Sequence, residues 1–150
     1  MTVDDKERAR RRALLKAHLE AEGEGNLSKV LATFAPDTEM IFNGQVFSDH
    51  EHIRLAHAYM GFSGEGAISE LGAVIDRESF TDDEIVIEGR MVGVHRTEFQ
   101  GFPGTNRRME LRFVTFYRFD SNGTLASERV VMNLGPLGAN ATWRPDVVST

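Results

Sequence analysis

Two long stretches of apolar alternation, residues 84–96 and 108–120, restrict this chain more than any other feature of its sequence. A run of about a dozen residues with period two buries one side-chain set only as an extended strand, and two such runs joined by a loop read as an antiparallel pair. In the first run Ile85, Ile87, Gly89, Met91, Gly93 and His95 share a face. In the second, Met109, Leu111, Phe113, Thr115, Tyr117 and Phe119 do. The turn Ser121-Asn122-Gly123 leads into a third run, residues 125–133, whose alternation predicts Leu125, Ser127, Arg129, Val131 and Asn133 on one face. Residues 68–80 read as one further strand.

The first sixty residues have a different period. Residues 5–22 are strong helix formers, with Leu14, Leu15 and Leu19 as a narrow apolar stripe. Asn26 is placed to cap a short helix whose face is Leu27, Val30, Leu31 and Phe34, and Pro36 stops it. A brief strand at 38–43 precedes Ser48 and Glu51, whose capping-box spacing predicts a third helix running to Met60. Helices first and an antiparallel sheet afterwards predict an α+β domain with its helices on one face of the sheet. One domain is expected over residues 1–150, with its core at about 10–138. The tail 139–150, with Trp143 and Pro145, is expected either to fray or to close a pocket mouth.

Composition removes whole classes of chemistry. With no cysteine there is no disulfide, thiolate metal site or cysteine nucleophile. The first sixteen residues carry net +3 and the rest net −9, for a total of −6. Such a body repels phosphates, so the basic start reads as a solvated helix face and no nucleic acid is expected as partner. No apolar stretch is long enough for a membrane span or a signal peptide, so a soluble, unprocessed, cytoplasmic protein is expected. Glycine-rich nucleotide loops, a serine-hydrolase elbow and HExxH are absent.

What remains is polar residues on apolar faces. His95 shares its face with isoleucines and glycines, so its imidazole is either an acid or base aimed into a cavity or a hydrogen-bonded core residue. On the last strand, Arg129 suits a carboxylate or polarised carbonyl and Asn133 offers an amide, against the ordinary readings of a surface arginine and a turn residue. His50, His52 and His57 resemble a metal set at first sight, but His50 and His57 stand roughly 10 Å apart along a helix, too far to share one ion without other groups. No metal is expected.

The segment 93–133, GVHRTEFQGFPGTNRRMELRFVTFYRFDSNGTLASERVVMN, resembles the SnoaL-like polyketide cyclase family. The resemblance lies in Gly93, His95, Phe99, Gly101, Pro103, Thr105 and Arg107, in Tyr117-Arg118-Phe119 and in Glu128-Arg129, and extends more loosely over residues 10–138. It implies a cone-shaped curved mixed or antiparallel sheet wrapped around N-terminal helices, the fold shared with nuclear transport factor two and ketosteroid isomerase and also termed cystatin-like. It further implies cofactor-independent aldol cyclisation of a polyketide-like ester, in which an aspartate on the last strand removes a proton alpha to a carbonyl. The position of that aspartate is Asn133 here, and an amide is no general base. Val131, Thr97 and Asn106 also depart from the family pattern.

The expected protein is therefore a cyclase, isomerase or hydrolase acting on a small hydrophobic carbonyl compound. Its catalytic groups are expected to be His95, Asn133 and Arg129, around a pocket of Asn43, Met91, Leu111, Phe113, Tyr117 and Val131. A non-catalytic binding domain of the same fold is the alternative. A homo-oligomer, dimer or tetramer, is expected, and it is compatible with either function because pocket and outer sheet face use opposite strand parities.

Overall fold

The computed structural model describes residues 4–138, so the expectations for the tail at 139–150 lie outside the described residues. Helix α1, Asp5–Gly23, begins where the Asp4 carboxylate accepts the Glu7 amide and buries Leu15, His18 and Ala21 at three-residue intervals. Helix α2, Leu27–Leu31, is capped by Asn26 as expected. Phe34, expected on that helix, instead opens strand β1, Phe34–Phe42, so Pro36 stands inside a strand. Its register against the neighbouring strand shifts between Phe34 and Glu39, and this irregularity tolerates a residue without an amide donor.

Strand β2, Gln45–Phe47, folds back on β1, and helix α3, His50–Met60, follows. Its cap is Asp49, which accepts the His52 amide at 2.8 Å, rather than Ser48. The helix stops at Gly61, whose φ of 136° suits only glycine and where a side chain would overlap the Ile68 carbonyl oxygen. Strands β3 (Ile68–Phe80), β4 (Glu84–His95), β5 (Arg108–Phe119) and β6 (Leu125–Met132) then run as successive antiparallel neighbours.

The six strands form one mixed, curved, open sheet in the order β2-β1-β6-β5-β4-β3, parallel only where β1 meets β6. Two register shifts in β3 lie against the glycine-bearing part of β4, and a Cβ at Gly89 would stand 2.5 Å from the Val74 carbonyl oxygen and 3.0 Å from the Phe113 ring. Bulges opposite glycines bend a sheet. The hydrophobic core fills the resulting concave side, where Leu15, Val30 and Ile53 of the helices pack with Ile87, Leu111 and Val130 of the sheet.

The alternation of β5 holds over its length and that of β4 up to its last three residues, which are all buried, but that of β6 does not. Leu125 and Ser127 are buried, and then Glu128, Val130 and Met132 are buried while Arg129 and Val131 are exposed. A register shift between Arg118 and Phe119 pairs Ser127 with one and Leu125 with the other, which inserts a residue on β6. One inserted residue exchanges the two faces of a strand beyond it. The predicted shared face of Arg129, Val131 and Asn133 with Leu125 is thereby corrected.

Candidate functional site

An apolar pocket, partly open to solvent, lies between the helices and the concave sheet face. Its walls include Leu19 of α1, Met60 and Phe62 at the end of α3, Met91 of β4, Phe113 of β5, and Val130 and Met132 of β6. Its polar lining groups are Glu22, His57, Thr115, Tyr117 and Glu128. The mixture of apolar walls with few polar groups suits a small organic molecule.

Behind these groups stands His18, so that two imidazoles and two carboxylates meet from three elements. His18 and Glu22 are one turn apart on α1, His57 comes from α3, and Glu128 comes from the inward face of β6. His18 Nε2 is 3.4 Å from Glu22 Oε1 and 3.7 Å from Glu128 Oε2. His57 Nε2 is 3.3 Å and 3.8 Å from the same two oxygens. His18, His57 and Glu128 are 0%, 1% and 3% exposed.

Both imidazoles are oriented from behind. His57 Nδ1 lies 2.7 Å from the Ile53 carbonyl, which can only accept, so Nδ1 carries a proton. The Thr33 hydroxyl donates to the Val30 carbonyl at 2.6 Å, and its oxygen therefore accepts from His18 Nδ1 at 2.8 Å. Both Nε2 atoms are thus turned toward the carboxylates, where neither makes a hydrogen bond, and Glu128 Oε2 makes none either.

Burial opposes the charged form of His57, but Glu22 and Glu128 outweigh it and raise its pKa to about 9. Burial would likewise raise Glu22, yet the two imidazoles hold its carboxyl below the usual range. At Glu128 burial prevails and the pKa is pushed up. The Tyr117 phenol is pushed well above its ordinary value by burial and then by the two carboxylates, so it keeps its proton and remains a hydrogen-bond donor.

Of the residues expected at the site, Met91, Phe113 and Tyr117 line this pocket. Leu111 is fully buried in the adjoining core. His95 is 0% exposed, its two ring nitrogens have no hydrogen-bond partner, and it is not among the pocket's lining residues. Asn43 instead ties strands together: its amide donates to the Met132 carbonyl at 3.1 Å and accepts the Met132 amide at 2.8 Å.

Val131 and Asn133 lie on the convex side beside Val114 and Arg112. Asn133 Oδ1 accepts the Gly135 amide at 2.9 Å, so it is a turn residue. Arg129 is exposed and stacks over the Phe116 ring at 4.3 Å. The structure therefore separates Arg129, Val131 and Asn133 from the pocket, and the bulge in β6 is the reason.

His18, Glu22 and Glu128 escaped the sequence reading. A signal existed for the first two, since a histidine and a glutamate four residues apart continue the face begun by Leu15. Glu128 belongs to the Glu128-Arg129 pair that carried the family resemblance, with the two residues' faces assigned the wrong way round.

A SnoaL-like domain model matches residues 15–128. A candidate SnoaL-like polyketide cyclase from Jannaschia sp. CCS1 superposes with a TM-score of 0.74 at 16% identity, covering 84% of this chain and 87% of that one. AclR, a candidate hydroxylase from Streptomyces galilaeus, gives 0.70 at 22% identity over 86% and 92%. A Catenulispora acidiphila protein with a ketosteroid isomerase-like fold, crystallised with trimethylamine, gives 0.67 at 19% identity over 88% and 97%. No curated protein matches this sequence.

Proposed function

This chain belongs to the SnoaL-like domain family, and from that premise we propose that it is an enzyme of the cyclase, isomerase or hydrolase type acting on a small hydrophobic carbonyl compound. One observation carries the reading: a buried carboxylate on the last strand, Glu128, faces a mostly apolar pocket beside a phenol that retains its proton. The last-strand base that the family resemblance placed at position 133 falls to Glu128 in this reading. A proton alpha to the carbonyl is within the chemistry of such a carboxylate, and Tyr117 donates to the oxygen on which negative charge develops. Met91 and Phe113 hold the apolar body of the substrate.

The test is chromatographic conversion of polyketide esters, enones and epoxides by the wild type and by Glu128→Gln. Conversion that the variant loses supports the reading. Saturable binding of these compounds without conversion, by folded protein, replaces it with the alternative of a binding domain. The expected homo-oligomer belongs to the same proposal: the convex sheet face presents Val131 at 54% exposure and Val74 at 41%, and a second copy would cover them.

A further inference from the structure

We propose that His18, Glu22, His57 and Glu128 form a site for one divalent first-row transition-metal ion, with zinc as the reference ion. The four ligand atoms lie within 4.8 Å of one another. Four atoms each about 2.1 Å from a central ion stand about 3.4 Å apart in a tetrahedron. The four imidazole-to-carboxylate distances here are 3.3, 3.4, 3.7 and 3.8 Å. Those four spacings are near the edges of a coordination shell, while the full spread of up to 4.8 Å means that the set would draw together around an ion to reach a tetrahedron.

Proton chemistry agrees with the spacing. Each Nδ1 proton is engaged from behind, by the Ile53 carbonyl for His57 and by Thr33 for His18, which is how metal-ligating histidines are commonly fixed. With Nδ1 engaged from behind, Nε2 is the atom of each ring left to meet an ion, and at His57 the ion would take the place of the proton that Glu22 and Glu128 otherwise favour there. Two ionised carboxylates match the charge of a divalent ion, which leaves the buried set neutral. Two imidazoles favour a transition ion over magnesium or calcium.

The sequence argument against a metal considered α3 alone. The tertiary fold supplies the other groups to His57, while His50 bonds the Ala35 carbonyl and His52 pairs with Asp49. Glu22, His57 and Glu128 all line the pocket, so an ion held there faces its contents. This deepens the functional reading, on which it rests for the identity of the pocket: Glu128 would hold the ion through Oε2 alone and keep its other oxygen for the proton transfer, while the ion's ligand from the pocket side would be the oxygen of the carbonyl substrate, bound as a fifth ligand and polarised.

The test loads chelator-treated full-length protein with Zn²⁺ and, separately, with Co²⁺, reading stoichiometry by elemental analysis after gel filtration, affinity by calorimetry, and coordination by the visible absorption of Co²⁺. One ion per chain is expected, bound at least about 100-fold more weakly by His18→Ala and by His57→Ala and unchanged in His52→Ala. Circular dichroism accompanies each variant, and the wild-type stoichiometry does not depend on how the variants fold. No stoichiometric binding by the wild type overturns the proposal, as does binding that persists in both folded site variants or that depends on His52. Conversion of substrate by metal-free protein would overturn the metal's role in turnover while leaving the enzyme reading intact. Stoichiometric binding without conversion of any substrate would do the reverse.

Discussion

Leu125 and Val131 stand six positions apart on β6, yet one is 0% exposed and the other 54%. An even spacing would have put residues of one parity together, and the inserted residue before Glu128 undoes this. The chemistry of the protein turns on that displacement, because it brings a carboxylate into the pocket and leaves Asn133 to receive the Gly135 amide. Glu128→Gln is expected to lower turnover by about 10²–10⁴-fold, the range for loss of a positioned base. Asn133→Ala is expected to stay within about threefold of the wild type. Steady-state rates on the first converted substrate check both, and equal losses in the two variants would contradict the assignment.

At the scale of elements, helix α3 matters most, because it carries His57 and closes one side of the pocket. Its start and stop are both chemically specific. Asp49→Ala should lower the urea midpoint while Ser48→Ala leaves it in place, since Asp49 accepts the His52 amide and Ser48 does not act as the cap. Gly61→Ala should cost about 1–3 kcal/mol, because the position has a φ of 136° and adjoins the Ile68 carbonyl. Equilibrium unfolding measures both, and an unchanged midpoint for Gly61→Ala would show that the turn relaxes easily.

For the whole molecule, the acidic total charge of −6 and the convex sheet face bear on association. Sedimentation velocity at micromolar concentration is expected to show a dimer or tetramer, and Val131→Lys is expected to shift it toward monomer, because a desolvated lysine has no place in an apolar contact. A monomeric wild type would remove the convex face as an interface. Conversion should survive dissociation if the pocket is complete within one chain, as its lining residues on the concave side imply.

Local periodicity was enough for the elements: β3 to β6 and α1 begin and end within a residue or so of the alternation and helix signals, because side-chain spacing is a local property of backbone geometry. Family-like residues in segment 93–133 likewise sufficed for the architecture. The site was not legible in the same way. His18 and Glu22 are separated from Glu128 by about a hundred residues of chain, and they meet only because β6 returns beside β1 and turns Glu128 inward after its bulge. Pairing of distant groups is a consequence of packing and register, which no local pattern encodes, and so the tertiary structure alone decided which carboxylates and imidazoles share one space.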